Sequence, residues 1–267
     1  MKGREKIKQY WNERANELAG EPAATTADLY LRELEISVVA QTLNELSLIV
    51  GGEFLDVGCG DGYSTLKVAQ QLPGHSFFGV DNSENMIRNA GMQLEALPEL
   101  KERVAFAVGD VLELGQVCAN KPYDFVLTDR CLINLDSAES QYRAVARIAE
   151  QTKPRGYYIA IENFMEGHEN LNNARRAIGL PEIPVRWHNL YLSQREFVQS
   201  VERFFEVIVF KDFSSSYYFA TRVIYSKMCQ MRGESPDYEH EIHQLAIHLP
   251  WTGQFSPIKM AVLRKRE

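Results

Sequence analysis

Apolar residues fall along this chain in two alternating rhythms. Short continuous runs, suited to strands covered on both faces, occur at 53–57, 76–81, 104–108, 123–129, 157–162, 204–213 and 258–264. Between and around them apolar residues recur three and four apart, which predicts helices over 4–19, 28–48, 63–72, 83–95, 137–151, 193–202, 215–231 and 238–248. The first helix carries Ile7, Tyr10, Trp11, Ala15 and Leu18 on one stripe, and the second Ile36, Val39, Leu43 and Leu46. In 137–151 the same spacing turns Tyr142, Val145, Ile148 and Ala149 inward. Punctuation agrees: Gly20 to Thr26 is a small-residue linker, Pro73-Gly74 ends a helix, and Lys153-Pro154-Arg155-Gly156 breaks another. Ser83 starts the helix at 83, and Ser193 with Glu196 forms a reciprocal cap.

Strands alternating with helices imply right-handed crossovers and an α/β fold, a doubly wound, mostly parallel sheet of seven strands. The alternation fails over 163–192, where Pro181, Pro184 and polar clusters predict an irregular insertion with one short helix near 169–178. A second insertion spans 214–248. The expected organisation is an N-terminal helical segment, 1–48, ahead of a main domain, 49–267. Two readings of the first helix stay open. Its stripe packs on the main domain, or it is a lid with Tyr10 and Trp11 over a ligand.

Composition narrows the class. The chain has 267 residues, 45% hydrophobic and 24% charged, as in a globular protein rather than a disordered one. A net charge of −7 supplies no overall basic field for nucleic acid. Cys59, Cys118, Cys131 and Cys229 are far apart and make no C-x-x-C pair. The first 15 residues lack the apolar stretch of a signal peptide, and no apolar run is long enough to span a bilayer. The expectation is a reduced, cytoplasmic protein with free thiols and no membrane partner.

Candidate chemistry centres on Asp56-Val57-Gly58-Cys59-Gly60-Asp61-Gly62, between the first strand and a helix. Glycine there admits left-handed backbone and close approach of a ligand. Dinucleotides and S-adenosylmethionine both bind such turns. The dinucleotide spacing is G-x-G-x-x-G, with pyrophosphate over the helix N-terminus. Here the spacing is G-x-G-x-G, and Tyr63 holds the place of the third dinucleotide glycine. Asp56 and Asp61 would each oppose a pyrophosphate by about 1–4 kcal/mol per close pair. S-adenosylmethionine has no phosphate, and its ammonium, sulfonium and ribose diol suit acids. Cys59, between two glycines, reads as a small filler and backbone donor rather than a nucleophile.

Phe54–Gly62 (FLDVGCGDG) resembles the first motif of the class I S-adenosylmethionine-dependent methyltransferases. Asp81, 25 residues after Asp56, lies where that family has its ribose-binding acid. Val108-Gly109-Asp110-Val111 resembles the loop whose acid meets the adenine amino group, and Tyr123–Asp129 resembles the fourth motif. Lys153–Gly156 is similar to the family's K-P-G-G turn, with Arg155 in place of a glycine. The resemblance implies a Rossmann-like methyltransferase fold and S-adenosyl-L-methionine as cofactor. The cofactor set it implies is Asp56, Gly58, Cys59, Gly60, Asp81, Asn82, Met86, Asp110, Val111 and Thr128, with Tyr10 added from the lid.

Thr128–Leu135, Leu171–Arg175, Trp187-His188-Asn189, Ser216-Tyr217-Tyr218 and Thr221-Arg222 resemble one subgroup, associated with bacterial surface-polysaccharide and other small-molecule pathways. Independently, ligands of open α/β sheets bind outside the carboxyl ends of strands. Arg130, Asn134, Glu162 and Asn163 follow the fourth and fifth strands, and the insertions carry Arg175, Arg176, Arg186, His188, Tyr191, Tyr217, Tyr218 and Arg222. The acceptor set expected from this is Arg130, Asn134, Arg175, Tyr191, Tyr218 and Arg222. Several arginines point to an anionic or glycosylated small molecule, although any one of them is also explained by pairing with a local acid. His188 is the first candidate base and Glu162 the second. His240, His243 and His248 match no common zinc spacing, so no metal is expected. N-methylation of a small amine or protein, and cofactor binding without catalysis, stay open beside O-methylation.

Overall fold

The computed structural model describes residues 2–18, 24–47, 52–119 and 121–267. Linker residues 20–23, the expected end of the first helix at 19 and the expected boundary at 48/49 lie outside the described residues. Seven strands form one sheet: β1 (Glu53–Val57), β2 (Ser76–Asp81), β3 (Val104–Val108), β4 (Tyr123–Asp129), β5 (Thr152–Asn163), β6 (Phe205–Lys211) and β7 (Ile258–Lys265). Their order is β3-β2-β1-β4-β5-β7-β6. All pairs are parallel except those of β7, which runs antiparallel to β5 and β6. Strand order reverses between β1 and β4, and ligands of such sheets enter at that switch point.

Each face of the sheet buries its own alternate residues, as a period of two requires. On one face the rings of Phe77, Phe54, Phe125 and Tyr157 stack across four strands at 4.5, 4.7 and 5.9 Å. Helices α2 (Leu29–Ser47) and α3 (Tyr63–Gln71) cover them with Val39, Leu43, Leu66 and Val68. The other face presents Leu55, Val57, Val126 and Tyr158 to α6 (Ala138–Gln151) and α8 (Gln194–Val201). The remaining helices are α1 (Lys2–Glu17), α4 (Glu84–Glu95), α5 (Leu114–Val117), α7 (Met165–Ala177), α9 (Ser215–Tyr218), α10 (Ser226–Arg232) and α11 (Glu241–Ala246).

Some expectations needed correction. Tyr142 is 40% exposed, so of the four expected residues α6 turns Val145, Ile148 and Ala149 inward, and Ala144 joins them. Ser193 does not cap α8; Glu166 does, accepting from the Gln194 N–H at 2.9 Å and from the Ser193 hydroxyl at 3.3 Å. The expected helix over 215–231 contains a π-helical segment, Phe219–Tyr225, between α9 and α10. The short helix of the first insertion begins earlier, at Met165.

The turn at Lys153–Gly156 is not a separate break, because β5 already starts at Thr152 and pairs with Tyr123 before a register shift. Arg155 there has φ +64°, a conformation that costs a non-glycine residue roughly 1–2 kcal/mol. Its guanidinium reaches only Glu267, at 4.0 Å on an exposed surface. Arg155→Gly is therefore expected to stabilise the protein by about 1 kcal/mol or less, after the added freedom of the unfolded chain is subtracted. Denaturant unfolding measures this, and a loss of stability would contradict it.

Candidate active site

The turn after β1 is held shut by the end of β2. The N–H groups of Gly58 and Cys59 donate to the Val80 carbonyl at 2.7 and 3.1 Å. The Gly60 N–H donates to one Asp81 oxygen at 3.0 Å, and the Ser83 N–H to the other at 2.8 Å. Gly58 has φ +80°, and a Cβ there would sit 2.8 Å from that of Cys131. The backbone donors expected to face a ligand, Cys59 among them, are thus spent inside the turn, and what this side of the cavity offers is side-chain carboxyl. Burial raises the Asp81 pKa against the pull of its two N–H donors. Asp56 is buried, accepts from the Thr65 hydroxyl, and is pushed up to about 7 by burial. Burial and the neighbouring acids push the Cys59 thiol well up, so it is no nucleophile.

Helix α2 stitches this turn to the rest of the site through three buried charges on one stripe. Arg32 donates to Asp61 at 2.9 Å, so the second acid of the turn is neutralised in place and presents no free charge to a ligand. Glu35 accepts from Arg130 at 2.8 Å. Asp28, just ahead of the helix, pairs with Arg222 and accepts from the Tyr217 hydroxyl. None of the three was singled out in the sequence. Their spacing of four and three was the available signal, read only for its apolar members.

Helix α1 lies across the opening. Asn12 accepts from the Ser83 hydroxyl at 2.6 Å, the Ala15 carbonyl accepts from Asn89 at 2.8 Å, and Arg4 pairs with Asp110. The Trp11 indole N–H donates to Asn134 at 3.1 Å. The wall itself is formed by Ile7 and Trp11, whereas Tyr10 stacks on the back of His188 at 4.5 Å.

These elements enclose one cavity of about 310 Å³. Of the expected cofactor residues it is lined by Asp56, Gly58, Cys59, Gly60, Asp81, Asn82, Met86 and Val111. Asp110 faces a second, adjoining hollow with Arg4 and Lys8. Thr128 is turned away, fully buried with its hydroxyl 2.9 Å from that of Tyr158. From the acceptor side Arg130, Asn134, Tyr191, Tyr218, Arg222 and His188 all reach the wall, joined by Asp129, Asn163 and Tyr238.

Two sequence-derived acceptor-side assignments do not fit. Arg175 is off the cavity, donating to the carbonyls of Pro181 and Arg222. Glu162 is fully buried, and its carboxyl accepts from the backbone N–H groups of Cys131, Leu132 and Ile133. It anchors the loop after β4 and is not exposed to act as a base. Burial lifts its pKa to about 8 in spite of those donors. His188 is buried, its Nδ1 has no partner, and burial with Arg186 nearby holds its pKa down at about 4. The imidazole is therefore neutral near pH 7 and retains a lone pair for a proton. His240 caps α11 through Nδ1, and His243 bonds the Tyr217 hydroxyl at 2.6 Å.

A methyltransferase-domain family matches residues 50–191, and the chain belongs to it. Malonyl-[acyl-carrier protein] O-methyltransferase of Priestia megaterium is 26% identical over 164 residues, 59% of this chain and 56% of the relative. Trans-aconitate 2-methyltransferase of Deinococcus radiodurans is 32% identical over 104 residues, 39% of this chain and 35% of the relative. The chain thus spans about half the length, or less, of the curated relatives it matches. Among solved structures, magnesium protoporphyrin IX methyltransferase from Synechocystis PCC 6803 with bound SAM superposes with a TM-score of 0.62. It is 13% identical, with 100% of this chain and 98% of that one covered. The N-methyltransferase NodS from Bradyrhizobium japonicum superposes at 0.58 with 13% identity, covering 98% and 99%. At these identities the structures establish the fold.

The raised Asp56 pKa has a consequence for stability. The unfolded carboxyl ionises near its ordinary value of 3.8, and the folded one only near 7. Folding therefore retains a proton in that window, and the stability Asp56 contributes at low pH is lost as pH rises through about 7. Asp56→Asn removes this term. The ligand-free variant is expected to lose less of its thermal midpoint between about pH 5 and pH 8 than the parent. Calorimetry across that range checks it, and equal slopes would contradict it.

Proposed function

We propose that this chain transfers the methyl group of S-adenosyl-L-methionine to an oxygen of a small acidic or glycosylated acceptor, with α1 as a lid. The observation that carries this reading is the single cavity in which the β1 turn and Asp81 meet Arg130, Tyr191, His188, Tyr218 and Arg222. The residues fit the methyl donor. Asp81 keeps oxygen lone pairs for a ribose diol, and buried Met86 with Val111 offers apolar walls for an adenine. Asp56 and Asp129 bring acid toward an ammonium and a sulfonium. Gly58 and Gly60 let the turn pack closely on its neighbours, since a Cβ at either would collide with Cys131 or with Thr25.

S-adenosylmethionine supplies an electrophilic methyl on a sulfonium leaving group. The protein's work is then alignment of the acceptor oxygen behind that methyl and, for a hydroxyl, removal of its proton. Alignment falls to the walls opposite the glycine turn: Tyr191 and Tyr218, with Arg130 and Arg222 fixed by their acids. His188 is the base. Its ring is clamped between Tyr10 and the edges of Trp11 and Trp187, and is neutral near pH 7. Oxygen as the methylated atom is supported by the malonyl-[acyl-carrier protein] O-methyltransferase named above, whose name specifies it.

Asp81→Ala is expected to weaken S-adenosylhomocysteine binding by about 1.5–3 kcal/mol, the scale of a hydrogen bond to a charged group. Isothermal titration measures it, and an unchanged affinity would remove Asp81 from the ribose site. With a hydroxyl acceptor, His188→Ala is expected to lower turnover on the order of 10²-fold or more while leaving cofactor affinity nearly unchanged. Release of S-adenosylhomocysteine reports turnover, and a variant as active as the parent would exclude His188 as the base.

A further inference from the structure

A folded chain seldom leaves buried polar atoms without partners, because each costs about 1–3 kcal/mol. Here Glu35 Oε1, Asn163 Oδ1 and His188 Nδ1 are all buried and have no partner among the described residues, and all three residues line the same cavity. Their residues are 1%, 5% and 5% exposed. They come from three separate elements: α2, the end of β5 and the first insertion. His188 is accounted for by the proposed proton transfer. Glu35 and Asn163 are not.

The cation beside Glu35 is already committed. Arg130 donates to Glu35 Oε2 at 2.8 Å and to Asp129 at 3.2 Å, and its backbone holds φ +54° with its N–H on the Ile161 carbonyl. Two acids share one guanidinium, so this corner does not present a bare positive charge to an anion. The oxygens left over there are an amide oxygen, which accepts, and a carboxyl oxygen, which accepts once the Glu35 carboxyl is ionised.

We propose that Glu35 and Asn163 bind hydrogen-bond donors on the methyl acceptor, so the acceptor carries hydroxyl or amine hydrogens, as a sugar or an amino sugar does. This rests on the reading of the cavity as a methyl-transfer site, and it specifies which acceptors enter. The charged groups facing Glu35 are Asp129 and Arg130 at and just after the end of β4, Arg32 from its own helix, and Asp28 just ahead of that helix. Burial raises the Glu35 pKa to about 8, so the empty cavity keeps a proton on that carboxyl near neutrality. A ligand donor on Oε1 takes the place of that proton, which leaves to solvent. Acceptor binding then tightens as pH rises toward about 8. A carboxylate acceptor held by protonated Glu35 would show the opposite slope.

Crystals of the S-adenosylhomocysteine complex soaked separately with glucose, glucosamine and malonate test this without turnover. The expected result is a hydroxyl or ammonium within hydrogen-bond distance of Glu35 Oε1 and Asn163 Oδ1, and no malonate there. The proposal is overturned if a malonate carboxylate takes that position, if ordered water alone occupies it, or if the S-adenosylhomocysteine ammonium itself reaches Oε1. In turnover, Glu35→Gln and Asn163→Leu are expected to raise KM for a hydroxyl-bearing acceptor about tenfold, with S-adenosylhomocysteine Kd shifted less than about twofold. An unchanged KM overturns the assignment, and the preserved Kd shows that the variants fold. Failure of the wild-type protein to bind S-adenosylhomocysteine would instead count against the methyltransferase reading itself.

Discussion

Three buried ionisable side chains, one capping α2 and two within it, hold this site together. Asp28, just ahead of α2, and Arg32 and Glu35 inside it follow one another with spacings of four and three. Each meets a different part of the chain: Arg222 in the π-helical segment, Asp61 in the glycine turn, and Arg130 after β4. Burying such pairs gains little stability, because desolvation offsets most of the attraction. What it fixes is position. A buried charge without its partner costs roughly 3–5 kcal/mol, so the turn, the β4 loop and the C-terminal insertion are each tied to one register on α2. The donor side and the acceptor side of the cavity are thereby referenced to the same helix.

The glycine turn depends on this arrangement and on β2. Its N–H groups close onto Val80 and Asp81, and its outer acid closes onto Arg32. The turn is therefore rigid through internal bonds. Selectivity for a methyl donor over a dinucleotide then falls to Asp81 and Asp56, since Asp61 is charge-compensated. Of the two acids flanking the turn, only Asp56 is left to oppose a pyrophosphate. The spacing discriminates as well, because Tyr63 occupies the first position of α3 where the dinucleotide turn needs its third glycine.

Strands were the most legible feature of the sequence. Strands write themselves as apolar runs, most plainly the buried central ones, and all seven emerge where such runs lie. The antiparallel insertion of β7 between β5 and β6 has no such local signature, since pairing partners are set by topology. Helix ends were legible where a side chain caps locally, as Ser83 does for the Met86 N–H, and illegible where the cap comes from afar, as Glu166 does for α8. At the site, residues of the glycine turn and of β2 were readable because their chemistry is carried by contiguous motifs. Arg175 and Glu162 were misassigned because a polar residue in an insertion or at a strand's carboxyl end looks the same whether it faces a ligand or backbone. Asp28, Arg32 and Glu35 were missed because charges on a helix are ordinarily its solvated face.

The same blindness explains why the arginines misled. In the sequence Arg130, Arg175 and Arg222 count as three cations near a substrate. In the fold, Arg130 lies between Glu35 and Asp129, Arg222 is matched by Asp28, and Arg175 is consumed by two carbonyls. Charge that is cancelled within hydrogen-bond distance projects little field into the cavity, and it serves to orient groups rather than to attract anions. What such pairs leave over then matters more than the pairs. A bridged carboxyl has a second oxygen, and at Glu35, which lines the cavity, that oxygen is buried with no partner among the described residues. Specificity in a buried polar site is set by which groups go unsatisfied when the wrong ligand enters, because each such group forfeits its water without return. On that reasoning the acceptor is defined less by the arginines that line the cavity than by the oxygens those arginines leave free.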